Sequence, residues 1–224
     1  MGAYPCAPDR WLIGHKLPFI EELWHVRGVY APGDSPFHVR GSMYLAVRDY
    51  AEAKVNGGMN AVHAAMPQGA HRDFAAQAFQ PEVLYDALPL RPITEMVARL
   101  EGVDWEQAVY AHAEYRAQRQ LGRLGRMRIR NSDRALEQLE REGLEGFNFG
   151  QSEYVQTEQA RARLLLHEVP QPLGSWFLAN ARAYGQVLLS KAGGKQVMVG
   201  GRLIPKGRRE NMGLVDVRVD LDWN

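Results

Sequence analysis

The sequence predicts an α+β fold, with an N-terminal helical half followed by an antiparallel sheet with a packed helix. Three patterns predict it. Apolar residues recur every three to four positions from Gly41 to about Arg141, a further helical run with a broad apolar face spans Leu173 to Leu189, and strict alternation marks Leu214 to Trp223. A chain of 224 residues with 46% hydrophobic content can bury one sizeable core. Lys+Arg 27 against Asp+Glu 26 leaves no global field to steer the chain toward nucleic acid or an anionic membrane, so no nucleic-acid partner is expected.

The elements follow in order. Residues 1–38 carry five prolines together with Trp11, Phe19, Ile20, Leu23 and Trp24, which is too apolar for a solvated tail. They read as an arm with one short helix near 18–26, packed across the main domain or across a second copy of it, and residues 39–224 as a single α+β domain. Met43, Leu45, Val47 and Tyr50 set a helix that breaks at Gly57-Gly58, and Met59 to Met66 set a second that stops at Pro67. The segment 82–88 reads as another helical turn, and 92–100 as a helix that Gly102 ends. Asp104 is placed to cap the longest helix, 105 to about 124. Ser132 or Asp133 caps the next, which ends at Gly143 and Gly146. Glu153 to Val169 is taken as a strand region, although its periodicity alone fits helix or strand. Pro170 and Pro172 precede the helix 173–189, and residues 196–199 and 214–223 complete the sheet. Val215, Val217, Val219, Leu221 and Trp223 share one strand face, with Leu214, Asp216, Arg218, Asp220 and Asp222 on the other.

The candidate chemistry is sparse. The lone Cys6 excludes an intramolecular disulfide framework and thiolate-rich metal sites. No His-Glu-x-x-His or Gly-x-Ser-x-Gly pattern occurs, and the glycines around Gly193, Gly200 and Gly207 lack a phosphate-loop signature and read as hairpin turns. Catalysis therefore has no positive support, and the expectation leans away from an enzyme. No run of 18 apolar residues is present, and the N-terminus lacks the basic start and apolar core of a signal peptide, so a cytoplasmic protein without a membrane span is expected.

Two features stand out. Arg116, Arg119, Arg123 and Arg126 are spaced by three or four, with Arg130 and Arg134 continuing the series. One helix face could present them to an acidic protein partner, and a solvated face paired with nearby glutamates fits the same spacing. Trp105, His112 and Tyr115 share a face of the longest helix, and Trp176 and Tyr184 mark the later one. Apolar walls with a few polar tips compose a small-molecule pocket, or an ordinary core whose polar tips find internal partners.

The order of elements, with Val39-Arg40-Gly41-Ser42, Ala61-Val62-His63-Ala64-Ala65-Met66-Pro67, Gln107 to Leu121, and Gly174-Ser175-Trp176 before two strands closing on Asp222-Trp223, resembles a set of myxobacterial paralogues. These belong to the superfamily of haem nitric-oxide-binding, vinyl-reductase-like ligand-sensing and TRAPP trafficking domains. The resemblance implies a non-catalytic sensory or ligand-binding protein that holds a small, largely apolar molecule between its helical half and its sheet half. The alternatives are a homodimeric scaffold and an enzyme with an unrecognised site. A homodimer formed through the arm suits either leading reading. The departures bear on cofactors. Leu136-Glu137-Gln138-Leu139-Glu140 puts glutamate where haem-binding members carry the proximal histidine, the Tyr-x-Ser-x-Arg clamp is missing, and residues 190–224 hold no cysteine for zinc. No cofactor and no metal are expected.

Overall fold

The computed structural model describes residues 30–123 and 131–224, without the side chains of residues 121–123. The expected arm helix at 18–26 lies outside the described residues. Residues 30–37, also assigned to the arm, pack on the domain. Phe37 is fully buried against Phe149, with ring centroids 5.6 Å apart, and Ser35 Oγ donates to Asp86 Oδ1 at 2.5 Å. The proposed division at 38/39 falls inside a strand, β1 (His38–Arg40).

Two helices follow, α1 (Gly41–Lys54) and α2 (Gly58–Ala65), joined through Gly57 in the left-handed region at φ 85°. A short α3 (Ala70–Ala76) leads to the first departure from expectation. The segment read as a helical turn contains β2 (Leu84–Asp86), which pairs antiparallel with β1 in the register His38 with Asp86 and Val39 with Tyr85. The reason is local. The Asp86 carboxylate accepts from the backbone N–H of Gly33 and of Leu88, both at 2.9 Å, and these bonds hold the segment extended. A three-residue strand is too short to show a period.

Helix α4 (Leu90–Glu101) ends at Gly102, φ 71°, whose N–H bonds to the carbonyls of Ala98 and Arg99. Asp104 accepts from the Glu106 N–H at 2.9 Å and starts α5 (Trp105–Arg123), which buries Ala108, Val109, His112, Ala113 and Ala117. The cap of α6 (Ser132–Gly143) is Asn131, one residue before the expected Ser132 or Asp133, with its side chain accepting from the Arg134 N–H.

The ambiguous segment resolves into a hairpin of β3 (Gln151–Glu158) and β4 (Arg161–Pro170). Helix α7 (Gly174–Lys191) follows, then β5 (Met198–Arg209) and β6 (Met212–Asp222). The sheet is antiparallel in the order β3-β4-β6-β5. Its register sorts the two faces. Ala162 opposite Leu221, Leu164 opposite Val219 and Leu166 opposite Val217 are all buried, while Arg161 opposite Asp222 and Arg163 opposite Asp220 form ion pairs at 2.9 and 3.1 Å on the wet face. Strand β5 is longer than the expected 196–199. Its glycines lie within the strand, and the β5–β6 turn is Glu210–Asn211, both in the left-handed region. Gly201 is required by packing, because a Cβ there would strike the Arg218 carbonyl and come within 2.7 Å of Leu178 on α7. The described residues thus form an α+β fold of seven helices and antiparallel sheets around one contiguous core.

Candidate functional site

The longest helix builds the site from one face. Residues 112, 116 and 120 lie one turn apart on α5, so their side chains stack along a line that passes from the core to the surface. His112 is at the buried end, 3% exposed, with its ring 5.4 Å from that of Tyr50. Neither ring nitrogen has a hydrogen-bond partner of normal geometry among the described residues. Burial, then the nearby Arg116 charge, drive its pKa down to about 3, against a smaller opposing effect of the Ala46 backbone, so the imidazole is neutral.

Arg116 comes next and is half-buried. Its Nε donates to the Tyr184 hydroxyl at 2.6 Å, Nη1 points at the Met43 sulfur, and its guanidinium carbon lies 4.9 Å from the Tyr184 ring centre. These partners are neutral, so no direct ion pair within the described residues cancels the charge. The Tyr184 hydroxyl donates onward to Gln120 Oε1 at 3.2 Å, and Gln120 and Gln138 each donate to Glu142 Oε1 at 2.7 Å. One network thereby joins α5, α6 and α7. Burial, then the Glu145 charge, raise the Glu142 pKa above its ordinary value, against the opposing influence of Arg116 and Gln120.

Outside this network lies a groove of about 690 Å³ between α1, α5 and the end of α6. Its charged lining is balanced, with Arg40, Arg116 and Arg119 set against Asp49, Glu142 and Glu145. Met43, Leu45, Ala46 and Tyr115 give it apolar wall. Arg119 is held at the rim by Asp49 at 3.7 Å and by the Tyr115 hydroxyl at 2.5 Å. Inside the network lies a cavity of about 20 Å³, bounded by α6 and α7 and sharing Met43, Arg116 and Glu142 with the groove.

The residues expected to form one pocket are therefore distributed. Trp176 and Tyr184 line the inner cavity and Tyr115 the groove. His112 belongs to the core beside Tyr50. Trp105 is apart from all of them, donating to Thr94 Oγ1 at 3.0 Å beneath the Arg91 guanidinium. Of the arginine series, Arg116 and Arg119 face the groove, while the side chain of Arg123 and all of Arg126 lie outside the described residues. Sequence reasoning missed Met43, Gln120, Glu142 and Asn180. Only Asn180 left a signal, as a lone amide within the apolar face of α7.

The site and fold together define a two-half α+β domain whose mixed polar groove is lined by α1, α5 and α6 of the helical half, rather than by both halves as expected, with only the small inner cavity reaching α7. No protein-family model and no curated protein matches the chain. Solved H-NOX structures do share its fold. A Cs H-NOX variant carrying 4-cyano-L-phenylalanine superposes with a TM-score of 0.53 at 8% identity, over 83% of this chain and 96% of that one. The Fe(II) unliganded H-NOX protein from K. algicida gives 0.52 at 11% identity, over 83% and 96%. Another solved structure, described by modulation of haem redox potential through protein-induced porphyrin distortion, gives 0.52 at 11%, over 81% and 96%. At such identities the likeness is one of fold.

Haem needs an axial donor such as histidine, cysteine, methionine or tyrosine. The groove offers Met43 and Tyr115, and both face an arginine, Met43 toward Arg116 and Tyr115 toward Arg119. No described histidine lines the groove or the inner cavity, and on α6 Leu136 and Leu139 are buried with Glu140 at the histidine position of the resemblance. The described lining of the groove and the inner cavity therefore does not fit the histidine-ligated haem of the superfamily's haem-binding members.

Proposed function

We propose that this protein is a non-catalytic ligand-sensing domain, a relative of the paralogues its motifs resemble, which holds a small molecule in the groove of its helical half, with α7 of the sheet half behind it. One observation carries the proposal: a half-buried guanidinium, Arg116, stands at the base of the groove without a direct ion pair among the described residues. Such a group matches a carboxylate or another small anion, and the Met43, Leu45 and Tyr115 wall suits an apolar body attached to it. The ligand is thus an amphipathic acid, more polar at one end than the largely apolar molecule expected from sequence. Trp176 and Tyr184 support the site from behind. Binding at Arg116 would act on Tyr184, Gln120 and Glu142 and so reach α6 and α7, which is the requirement for sensing.

A panel of small monocarboxylates, each with its neutral amide, tests this by thermal denaturation. A carboxylate should raise Tm where its amide does not, and Arg116→Gln should abolish the shift. Stabilisation that survives Arg116→Gln would contradict the proposal.

Assembly belongs to the same reading. The apolar arm, with Trp11, Phe19, Leu23 and Trp24, would cover a second copy in a cytoplasmic homodimer. Because residues 30–37 pack on the domain, the informative truncation removes residues 2–29. It should lower the mass measured by light scattering, and an unchanged dimer would assign the contact elsewhere.

A further inference from the structure

We infer that the inner cavity behind Arg116 is a hydroxyl-binding site, in which one O–H group accepts from the Trp176 Nε1–H and donates to Asn180 Oδ1. Trp176 and Asn180 lie one turn apart on α7, so their side chains share a face, and both line the cavity. They are 1% and 6% exposed. The Asn180 Nδ2 group donates to the Trp176 carbonyl at 3.1 Å. That bond fixes the amide orientation, since the flipped amide would set oxygen against oxygen. Among the described residues Oδ1 is then left without a partner, and so is the Trp176 indole N–H.

Burying one donor and one acceptor unpaired is costly, and both are satisfied at once by a group that accepts and donates. A hydroxyl does both. A group that only accepts would leave Asn180 unpaired. Leu139, Phe147, Phe177 and Ala181 make an apolar wall around Trp176 and Asn180, and the opposite charges of Arg116 and Glu142 on the remaining side give an ion no net advantage over a neutral occupant. The volume of about 20 Å³ admits one water-sized group and no carbon skeleton. Met43, Arg116 and Glu142 border both spaces, so the hydroxyl can belong to a water or to the tip of a molecule seated in the groove. The first source is independent of the function proposed above, and the second rests on it.

The test uses the full-length ¹⁵N-labelled protein, with the Trp176 indole assigned from its intraresidue NOEs among the five tryptophans. Three samples are compared: protein alone, protein with acetate, and protein with glycolate, which adds a hydroxyl to the same carboxylate. A long-lived NOE between water and the Trp176 indole proton, unchanged by either acid, assigns a resident water. Loss of that NOE with an indole shift in glycolate and not in acetate assigns the hydroxyl of a groove ligand. Both outcomes uphold the site. An indole proton with no water NOE in the protein alone and no response to glycolate would overturn it. Failure of the groove reading looks different: neither acid perturbs the Arg116 side-chain resonances while the water NOE persists.

Discussion

His112 gives acid stability a component that belongs to one residue. Its pKa is about 3 in the fold against an ordinary 6.5, so between those values the unfolded chain binds the additional proton and stability falls as pH drops. Between pH 6.5 and pH 4 the loss attributable to His112 is roughly 3 kcal/mol. Glu142 works in the opposite sense, because its raised pKa makes the fold take up a proton first, and stability rises as pH falls through that window. Comparing wild type with His112→Leu isolates the histidine. The variant should show a flatter profile of urea-unfolding free energy across this range, and parallel profiles would show that His112 carries no such penalty. The low pKa has a plain cause. A histidine among Tyr50, Ala113 and Val109 is visible in sequence as one polar residue on an apolar helix face, but its lack of a well-formed hydrogen bond among the described residues is a fact of packing alone.

At the scale of elements, the Tyr184 hydroxyl joins α5 to α7, accepting from Arg116 and donating to Gln120. Tyr184→Phe leaves both of those groups without that partner and should cost about 1–3 kcal/mol in urea unfolding. A change below about 0.5 kcal/mol would mean that solvent replaces the hydroxyl at no loss. The contact of α7 with β5 is set by Gly201, where Gly201→Ala forces a Cβ against the Arg218 carbonyl and Leu178. About 2 kcal/mol of destabilisation is expected, read as a lowered Tm. The long elements were legible because period and punctuation agree in them: Asp104 and Gly102 bound their helices, and the alternation of β6 matches its buried and paired faces. Those that misled are short or unusual. Residues 84–86 owe their strand to the bonds of Asp86, and β5 runs through glycines that the sequence suggests for turns.

For the whole molecule, an α+β order of helices, hairpin, helix and hairpin was readable because each half has its own periodicity. The site was not, because it forms where elements distant in sequence meet, with α7 of the second half behind a groove lined by the first. Met43 and Arg116 are 73 positions apart, and Arg116 and Tyr184 are 68 apart. No spacing rule links such residues. The arginine series was visible as a stripe, yet in the fold Arg116 turns toward a tyrosine and Arg119 toward the groove rim, so in the proposed reading a pattern that suggests a docking face for an acidic protein would supply the anchor of a small acid. The H-NOX-like fold supplies the groove, and the residues of this chain decide what occupies it.

The central claim, an acidic small molecule anchored by Arg116, is tested most directly by mass spectrometry of wild type and Arg116→Gln purified alongside each other, in native and denatured form. The account predicts a small acid bound to the native wild-type protein, released on denaturation and missing from the variant. An adduct retained by Arg116→Gln, or a released molecule with no acidic group, would contradict it.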